Sequence, residues 1–130
     1  MNSINTPVSP GEVLDKITIL EIKAINIHDP EKQKNVKHEL NILLKTWDEH
    51  VSPSDEITEL KKQLKKVNQD LWNIEDNIRI KESKREFDEE FIQIARSVYV
   101  ENDTRASVKK AVNILLGSEL IEEKSYEDYS

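Results

Sequence analysis

The sequence contains no cysteine, and it has few of the residues that interrupt helices. The absence of cysteine excludes disulfide bonds, thiolate zinc sites and cysteine nucleophiles, and it suits a cytoplasmic protein. The sequence has only two glycines, and it contains no P-loop, no G-x-G-x-x-G turn and no G-x-S-x-G nucleophile elbow. The three histidines fit neither an E-x-x-H nor an H-E-x-x-H pattern, so the sequence predicts no metal site and no cofactor.

The charge and the hydrophobic pattern argue against two classes of partner. The formal net charge is −7, and the densest group of lysines, within residues 61–66, falls on the solvent side of a predicted helix. Nucleic-acid binding depends on clustered positive charge, so we expect no nucleic-acid partner. No apolar run approaches the roughly 20 residues that a membrane span needs, and the N-terminus lacks the features of a signal peptide. The sequence therefore predicts a soluble cytoplasmic protein without membrane insertion.

A single stretch from Ile57 to Lys81 dominates the sequence, because its apolar residues recur at alternating spacings of three and four. This heptad pattern predicts an amphipathic helix of about 25 residues, which would be roughly 37 Å long. The apolar positions are Ile57, Leu60, Leu64, Val67, Leu71, Ile74 and Ile78. So long a stripe needs a partner along most of its length, and either the rest of the chain or a second copy can supply it. A protein partner or a homodimer is therefore expected.

Proline-marked start signals divide the first half of the chain. After an N-terminal arm of residues 1–8, Ser9 is expected to cap a first helix that runs to about Ile27. Similar signals at residues 29–31 and 52–55 precede a second helix and the long third helix. The face of helix 1 that carries Asp15 is expected to be solvated. Short connections favour an antiparallel arrangement of these three helices.

The second half of the chain predicts two more helices and a tail. A fourth helix is expected to end at residues 101–103, where Asn102 or Asp103 would cap a fifth helix that stops at Gly117. The fold class is then all-α: a single domain of residues 9–121, with about five helices and one long, central, coiled-coil-like helix. Helices 4 and 5 are expected to pack on the far end of the first three. Residues 122–130 form the predicted tail, and a short helical turn followed by disorder is expected after residue 118.

Polar residues on predicted helices 3 to 5 form the one constellation that is suited to binding. Its members are Trp72, Glu75, Asp76, Arg79, Arg96, Tyr99, Asn102, Asp103, Arg105 and Lys109. If helix 4 folds back along helix 3, Arg96 and Tyr99 approach Glu75 and Arg79, while Arg105 and Lys109 meet an anion at the start of helix 5. One interpretation is a network of ion pairs that fixes the register of the helices. The other is a pocket for a small anionic ligand, with an aromatic wall.

Three segments carry a resemblance to a known family: SPGEVLDKITILEIK at 9–23, LWNIEDNIR at 71–79, and ARSVY at 95–99 followed by NDTRA at 102–106. In these segments the chain resembles a family of small bacterial and phage-associated proteins whose function is unknown, and the likeness extends from Ser9 to about Tyr126. The resemblance implies that related genes often lie near glycosyltransferase and surface-polysaccharide genes. It implies no catalytic residue.

Two functions follow as predictions. The long apolar seam and the lack of a catalytic motif favour a non-catalytic interaction or scaffold protein, and the resemblance implies an accessory role in surface-glycan assembly. The alternative is a small-ligand-binding protein or an enzyme that acts on an anionic sugar or nucleotide. The sequence favours a protein without enzymatic activity.

Overall fold

The computed structural model describes residues 2–129, which contain four α-helices and no β-strand. The helices are α1 (Pro10–Asn26), α2 (Pro30–His50), α3 (Asp55–Ser83) and α4 (Glu89–Leu115). The all-α prediction is confirmed, but four helices replace the predicted five. Met1 of the predicted arm and Ser130 of the predicted tail lie outside the described residues. Within residues 2–129, no helix is both long enough and apolar enough to cross a membrane.

Each helix begins at a side-chain cap. The N-cap side chains of Ser9, Asp29, Ser54 and Asp88 each accept a hydrogen bond from the backbone amide three residues later. The first amides of a helix have no partner within the helix, so such a cap supplies the missing acceptor. The three start signals found in the first half of the sequence therefore mark α1, α2 and α3 correctly.

The predicted break between a fourth and a fifth helix does not occur. Asn102 and Asp103 lie inside α4, which runs without interruption from Glu89 to Leu115. No glycine or proline lies in this segment, and Asn or Asp costs a helix interior only a few tenths of a kcal/mol relative to ordinary residues. Packing against α1 and α3 outweighs so small a preference, so neither residue acts as a cap.

The end of α4 follows the prediction. Gly117 has a φ of 66°, and the amides of Gly117 and Ser118 donate to the carbonyls of Ile114 and Asn113 at 3.2 and 2.8 Å. This pair of bonds is the Schellman arrangement, which needs a left-handed residue that glycine adopts without strain. The tail then runs back beside α4 without the predicted helical turn: Glu122 contacts Lys109, and Tyr129 contacts Asp103.

Helix α1 is the centre of the packing. It contacts the other three helices, α3 and α4 contact each other, and α2 contacts α1 alone among the described helices. Helices 1 to 3 were predicted to form an antiparallel bundle; α2 and α3 each pack on α1, whereas, among the described residues, α2 and α3 make no helix–helix contact with each other. The predicted position of the last helices at the far end is wrong, since α4 lies along both α1 and α3. The reason lies in the sequence of α1, which is apolar on more than one face and is largely buried, whereas α2 has no buried residue.

The core lies where α1, α3 and α4 meet. Its buried apolar residues are Leu14, Ile17, Leu20, Ile22, Ile57, Leu64, Val67, Val108 and Val112. In the heptad seam of α3, Ile57, Leu64 and Val67 are buried. The half-buried seam residues are Leu60, Leu71, Ile74 and Ile78. The last third of α3 and the first half of α4 contain no buried residue, so they form a hairpin whose stability depends mainly on each other.

Candidate functional site

A cleft of about 300 Å³ opens between α1, α3 and α4. Its walls are mostly apolar and consist of Ile19, Ile22, Leu71, Trp72, Ile74 and Val98. Four polar side chains also line it: Asn68 and Glu75 from α3, and Asn102 and Arg105 from α4. Apolar walls with a few converging polar groups are typical of a small-molecule site.

A buried polar network lies beside the cleft and joins three helices. Arg105 of α4 donates from Nε to Oδ1 of Asp15 in α1 at 2.9 Å, and its Nη2 donates to Oδ2. The side-chain amide of Asn68 in α3 donates to Asp15 Oδ1 and to Thr18 Oγ1, both at 2.9 Å. The Thr18 hydroxyl donates in turn to the backbone carbonyl of Asp15 at 2.8 Å.

The network keeps a charged carboxylate inside a small core. Asp15 is 2% exposed, and a carboxylate so buried is very costly unless it is paired and hydrogen-bonded. Arg105 and Asn68 meet this requirement together. The hydrogen bond to Asp15 raises the pKa of Arg105, so the guanidinium group remains charged. Because two hydrogen bonds fix the guanidinium plane, Arg105 presents its remaining Nη1 group in a defined direction.

A second ionic cluster lies one turn further along α4. Lys109 pairs with Glu12 of α1 at 2.8 Å and with Glu122 of the tail at 3.0 Å. Burial acts to lower the pKa of Lys109, but the hydrogen bonds to the two glutamates outweigh it and leave the pKa above its usual value. The same interaction lowers the pKa of Glu122. This cluster attaches the tail to the helical core.

The two helices approach closely beside this cluster. The backbone amide of Gly11 donates to Asn113 Oδ1 at 2.7 Å, and a Cβ at Gly11 would lie 2.5 Å from the carbonyl oxygen of Lys109. Because α1 and α4 run antiparallel, this approach sets the register that brings Asp15 to Arg105.

Four of the ten predicted site residues line the cleft, namely Trp72, Glu75, Asn102 and Arg105. Lys109 binds the tail instead. The anion site predicted at the start of a fifth helix is wrong, because no helix begins near Arg105. In its place, Arg105 has a carboxylate partner from α1.

The other five predicted site residues do not line the cleft; they are Asp76, Arg79, Arg96, Tyr99 and Asp103. Arg79 is exposed and pairs with Glu75 at 2.8 Å within α3. Arg96 donates to the Tyr99 hydroxyl at 3.4 Å within α4, which raises the pKa of Arg96. Among the described residues, no hydrogen bond or ion pair joins Glu75 or Arg79 to Arg96 or Tyr99 across the hairpin; each pair bonds within its own helix instead.

The tail covers the outer face of α4 next to Tyr99. The rings of Tyr99 and Tyr129 lie 4.8 Å apart at a steep angle, and the Tyr129 hydroxyl donates to Asp103 Oδ2 at 2.7 Å. That hydrogen bond raises the pKa of Tyr129. Tyr99 and Asp103 are therefore residues that hold the tail.

Sequence reasoning missed Asp15, because it was assigned to a solvated face of the first helix, and it made no prediction for Thr18. Both are buried. The available signal was the density of apolar residues around them: in the segment VLDKITILEI, apolar side chains flank Asp15 and Thr18 on both sides of the helix. A polar residue surrounded in this way is expected to be buried with a partner.

A second cleft, of about 370 Å³, lies between the N-terminal arm, α1 and the end of α2. It is larger, and its lining includes Pro10, Val13, Trp47 and Val51. Its one titratable side chain is His50, whose Nδ1 is within 2.8 Å of the Thr46 carbonyl oxygen. No buried charge lies in this second cleft, so the first cleft is the better candidate site. Within residues 2–129, no group of acidic or histidine side chains is placed to hold a metal ion.

The family model described as a family of unknown function (DUF6165) matches residues 4–129. No curated protein and no solved structure matches the chain.

Proposed function

The chain belongs to the DUF6165 family of unknown function, and we propose that it is a non-catalytic interaction or scaffold protein that acts through the end of its α3–α4 hairpin. We define the hairpin tip as residues 78–94. The observation that carries the proposal is the exposure of three large apolar side chains there: Ile80 is 51% exposed, Phe87 57% and Ile92 47%. Apolar residues grouped at one end of an elongated element are typical of an interaction surface.

Ionic contacts join α3, the connecting turn and α4 at the tip. The Lys81 side chain is only 13% exposed, and it contacts Asp88 at 2.9 Å and both Glu86 and Glu90 at 3.3 Å. The hydrogen bond from Lys81 lowers the pKa of Asp88, which also caps α4. A preorganised surface loses less conformational entropy when it binds, so these contacts favour association.

A second copy of the chain is the proposed partner. Outside the ionic contacts of Lys81, the tip still carries basic residues (Lys84, Arg85) and acidic ones (Glu82, Glu89), so two tips can pair charges of opposite sign. Two hairpins that pack side by side around a two-fold axis form a four-helix arrangement and bury the exposed apolar residues of both. An accessory role in surface-glycan assembly has its support in the family resemblance alone.

Sedimentation equilibrium tests the proposal. At a concentration of about 100 µM, the wild-type chain should sediment as a species heavier than its monomer mass of 15.1 kDa. Phe87→Ser and Ile92→Ser should each shift the equilibrium towards the monomer. Ile25→Ser is the matched control, because Ile25 is equally apolar and 67% exposed but lies on α1. A wild-type chain that remains monomeric, or an equal effect of Ile25→Ser, contradicts self-association through the tip.

A further inference from the structure

We propose that the cleft between α1, α3 and α4 binds a small molecule that combines one flat ring with one carboxylate or phosphate group. The site is separate from the hairpin tip, so it adds a binding activity to the proposed interaction function. Its residues come from three helices and converge on a volume of about 300 Å³. That volume is at the lower limit of known ligand sites, which suits a single ring with one substituent.

The anionic group is assigned to Arg105 and Asn102. The hydrogen bonds to Asp15 use Nε and Nη2 of Arg105, which leaves the two N–H groups of Nη1 for a ligand. The Arg105 side chain is 29% exposed, so an anion can reach it. Asn102 lies one helical turn earlier on the same face, and its side chain makes no hydrogen bond to another residue of the described chain. Together they offer converging donors to an oxyanion.

The ring is assigned to the apolar wall. Trp72 provides the largest flat surface, and Ile19, Ile22 and Val98 face the same cleft from the other two helices. A small anion without a ring would leave this wall in contact with water. A ring without an anionic group would dehydrate the Arg105 donors without replacing their hydrogen bonds, which is unfavourable.

The charges around the cleft favour a ligand with one anionic group rather than two. Asp15 already opposes the charge of Arg105, and Glu75 lines the cleft on α3. The partner of Glu75 is Arg79, which is an exposed side chain. A second anionic group near Glu75 would therefore meet a negative charge without a buried cation to balance it.

The indole N–H signals of the two tryptophans provide the test in solution. Trp72 lines the proposed site and Trp47 lines the second cleft, so Trp47 is an internal reference in the same NMR spectrum, and Trp47→Phe assigns the signals. The probes are benzoate and phenyl phosphate, with benzyl alcohol as the neutral ring and inorganic phosphate as the ringless anion. Because such fragments have about ten non-hydrogen atoms, we expect a Kd of about 1 mM.

The expected result is that benzoate or phenyl phosphate shifts the Trp72 signal in a saturable manner and leaves Trp47 unchanged. Which of the two binds more tightly separates a carboxylate ligand from a phosphate ligand. Benzyl alcohol and inorganic phosphate should bind at least about 5-fold more weakly, since each lacks one half of the recognition. Equal binding of benzyl alcohol, or no Trp72 shift by either ring-bearing anion up to about 10 mM, overturns the proposal.

Two variants test the assigned residues. Asn102→Ala should weaken binding of the tighter probe by about 3- to 10-fold, whereas Asn77→Ala, an exposed control on α3 outside the cleft, should not change it. Arg105→Lys can keep a contact with Asp15 but has no Nη1 group, and it should abolish detectable binding. If Arg105→Lys does not fold, Asn102→Ala tests the proposal by itself. The half-buried Asn102 side chain has no described hydrogen-bond partner to lose, so this variant is expected to fold. Equal affinities for Asn102→Ala and Asn77→Ala overturn the assignment.

Discussion

Arg105 donates two hydrogen bonds to Asp15, a residue 90 positions earlier in the chain, and this pair joins the first helix to the last. The two partners are not equally buried: the side chain of Asp15 is 3% exposed and that of Arg105 is 29% exposed. Loss of one partner therefore has a different cost from loss of the other, because only Arg105 can turn its charge towards water.

We expect Arg105→Met to destabilise the protein by about 3 to 5 kcal/mol, since it leaves the buried Asp15 carboxylate without a cation. Asp15→Asn should cost less, because the Arg105 guanidinium group can be solvated. Arg79→Met is the control, and it should cost less than about 0.5 kcal/mol because the Arg79–Glu75 pair is exposed. Urea unfolding measures all three. Equal losses for Arg105→Met and Arg79→Met would show that the Asp15 pair is not buried in solution.

The graded burial of the α3 seam predicts a graded cost of truncation. Leu64 is 0% exposed, so Leu64→Ala should cost about 2 to 5 kcal/mol in the free energy of unfolding. Leu71 has the same heptad role but is half-buried on the cleft wall, so Leu71→Ala should cost clearly less than Leu64→Ala. Lys62→Ala, on the exposed face, should change stability by less than about 0.5 kcal/mol. Equal costs for Leu64→Ala and Leu71→Ala in urea titrations would contradict the graded burial.

The local features of the fold were predictable from the sequence. Ser9, Asp29 and Ser54 act as caps through hydrogen bonds within three residues, and Gly117 ends α4 through its own backbone conformation. The heptad spacing likewise gave α3 its apolar face. Such signals depend on neighbours in the chain, so one sequence contains them fully.

The features that depend on distant contacts were not predictable in this way. Asp15 is buried only because Arg105 and Asn68 reach it from two other helices. The continuity of α4 through Asn102 is decided by packing against α1 and α3, which local helix preference does not include. The predicted constellation therefore contained four of the ten residues that line the cleft, namely Trp72, Glu75, Asn102 and Arg105. It did not contain the buried carboxylate of Asp15 that holds Arg105.

The close packing of α1 against α4 is predicted to require glycine at position 11. In Gly11→Ala, the new Cβ would lie 2.5 Å from the Lys109 carbonyl oxygen and 2.9 Å from Asn113 Oδ1, so α1 and α4 must move apart. We expect a loss of about 1 to 3 kcal/mol, measured by urea unfolding. Gly117→Ala is the comparison. No atom lies within 4 Å of its added Cβ, so its cost of about 1 kcal/mol comes only from the φ of +66°.

The two glycine variants separate a steric effect from a conformational one. Because Gly11→Ala displaces α4 from α1, it should also disturb the backbone amide signals of Asp15 and Arg105. Gly117→Ala should leave those signals unchanged. If both variants disturb only their own neighbours, the close approach at Gly11 does not set the register of the two helices.

The ion pair between Glu122 and Lys109 predicts that acid releases the tail. The hydrogen bond from Lys109 lowers the pKa of Glu122 below its usual value of 4.5, so the folded state binds the proton less readily than the released tail does. The contact therefore contributes fully above pH 4.5 and is lost as the pH falls through the lowered pKa of Glu122.

The heteronuclear NOE of residues 119–124 should accordingly be high at pH 7 and should fall at acid pH while the helices remain folded. In Glu122→Gln the charge is absent, so the NOE should already be low at pH 7 and should change little with pH. Glu123→Gln is the matched control: the neighbouring carboxylate makes no ion pair with another residue of the described chain, so this variant should follow the wild type. A wild-type pH profile in Glu122→Gln would mean that Tyr129, through Tyr99 and Asp103, holds the tail without the Lys109 contact.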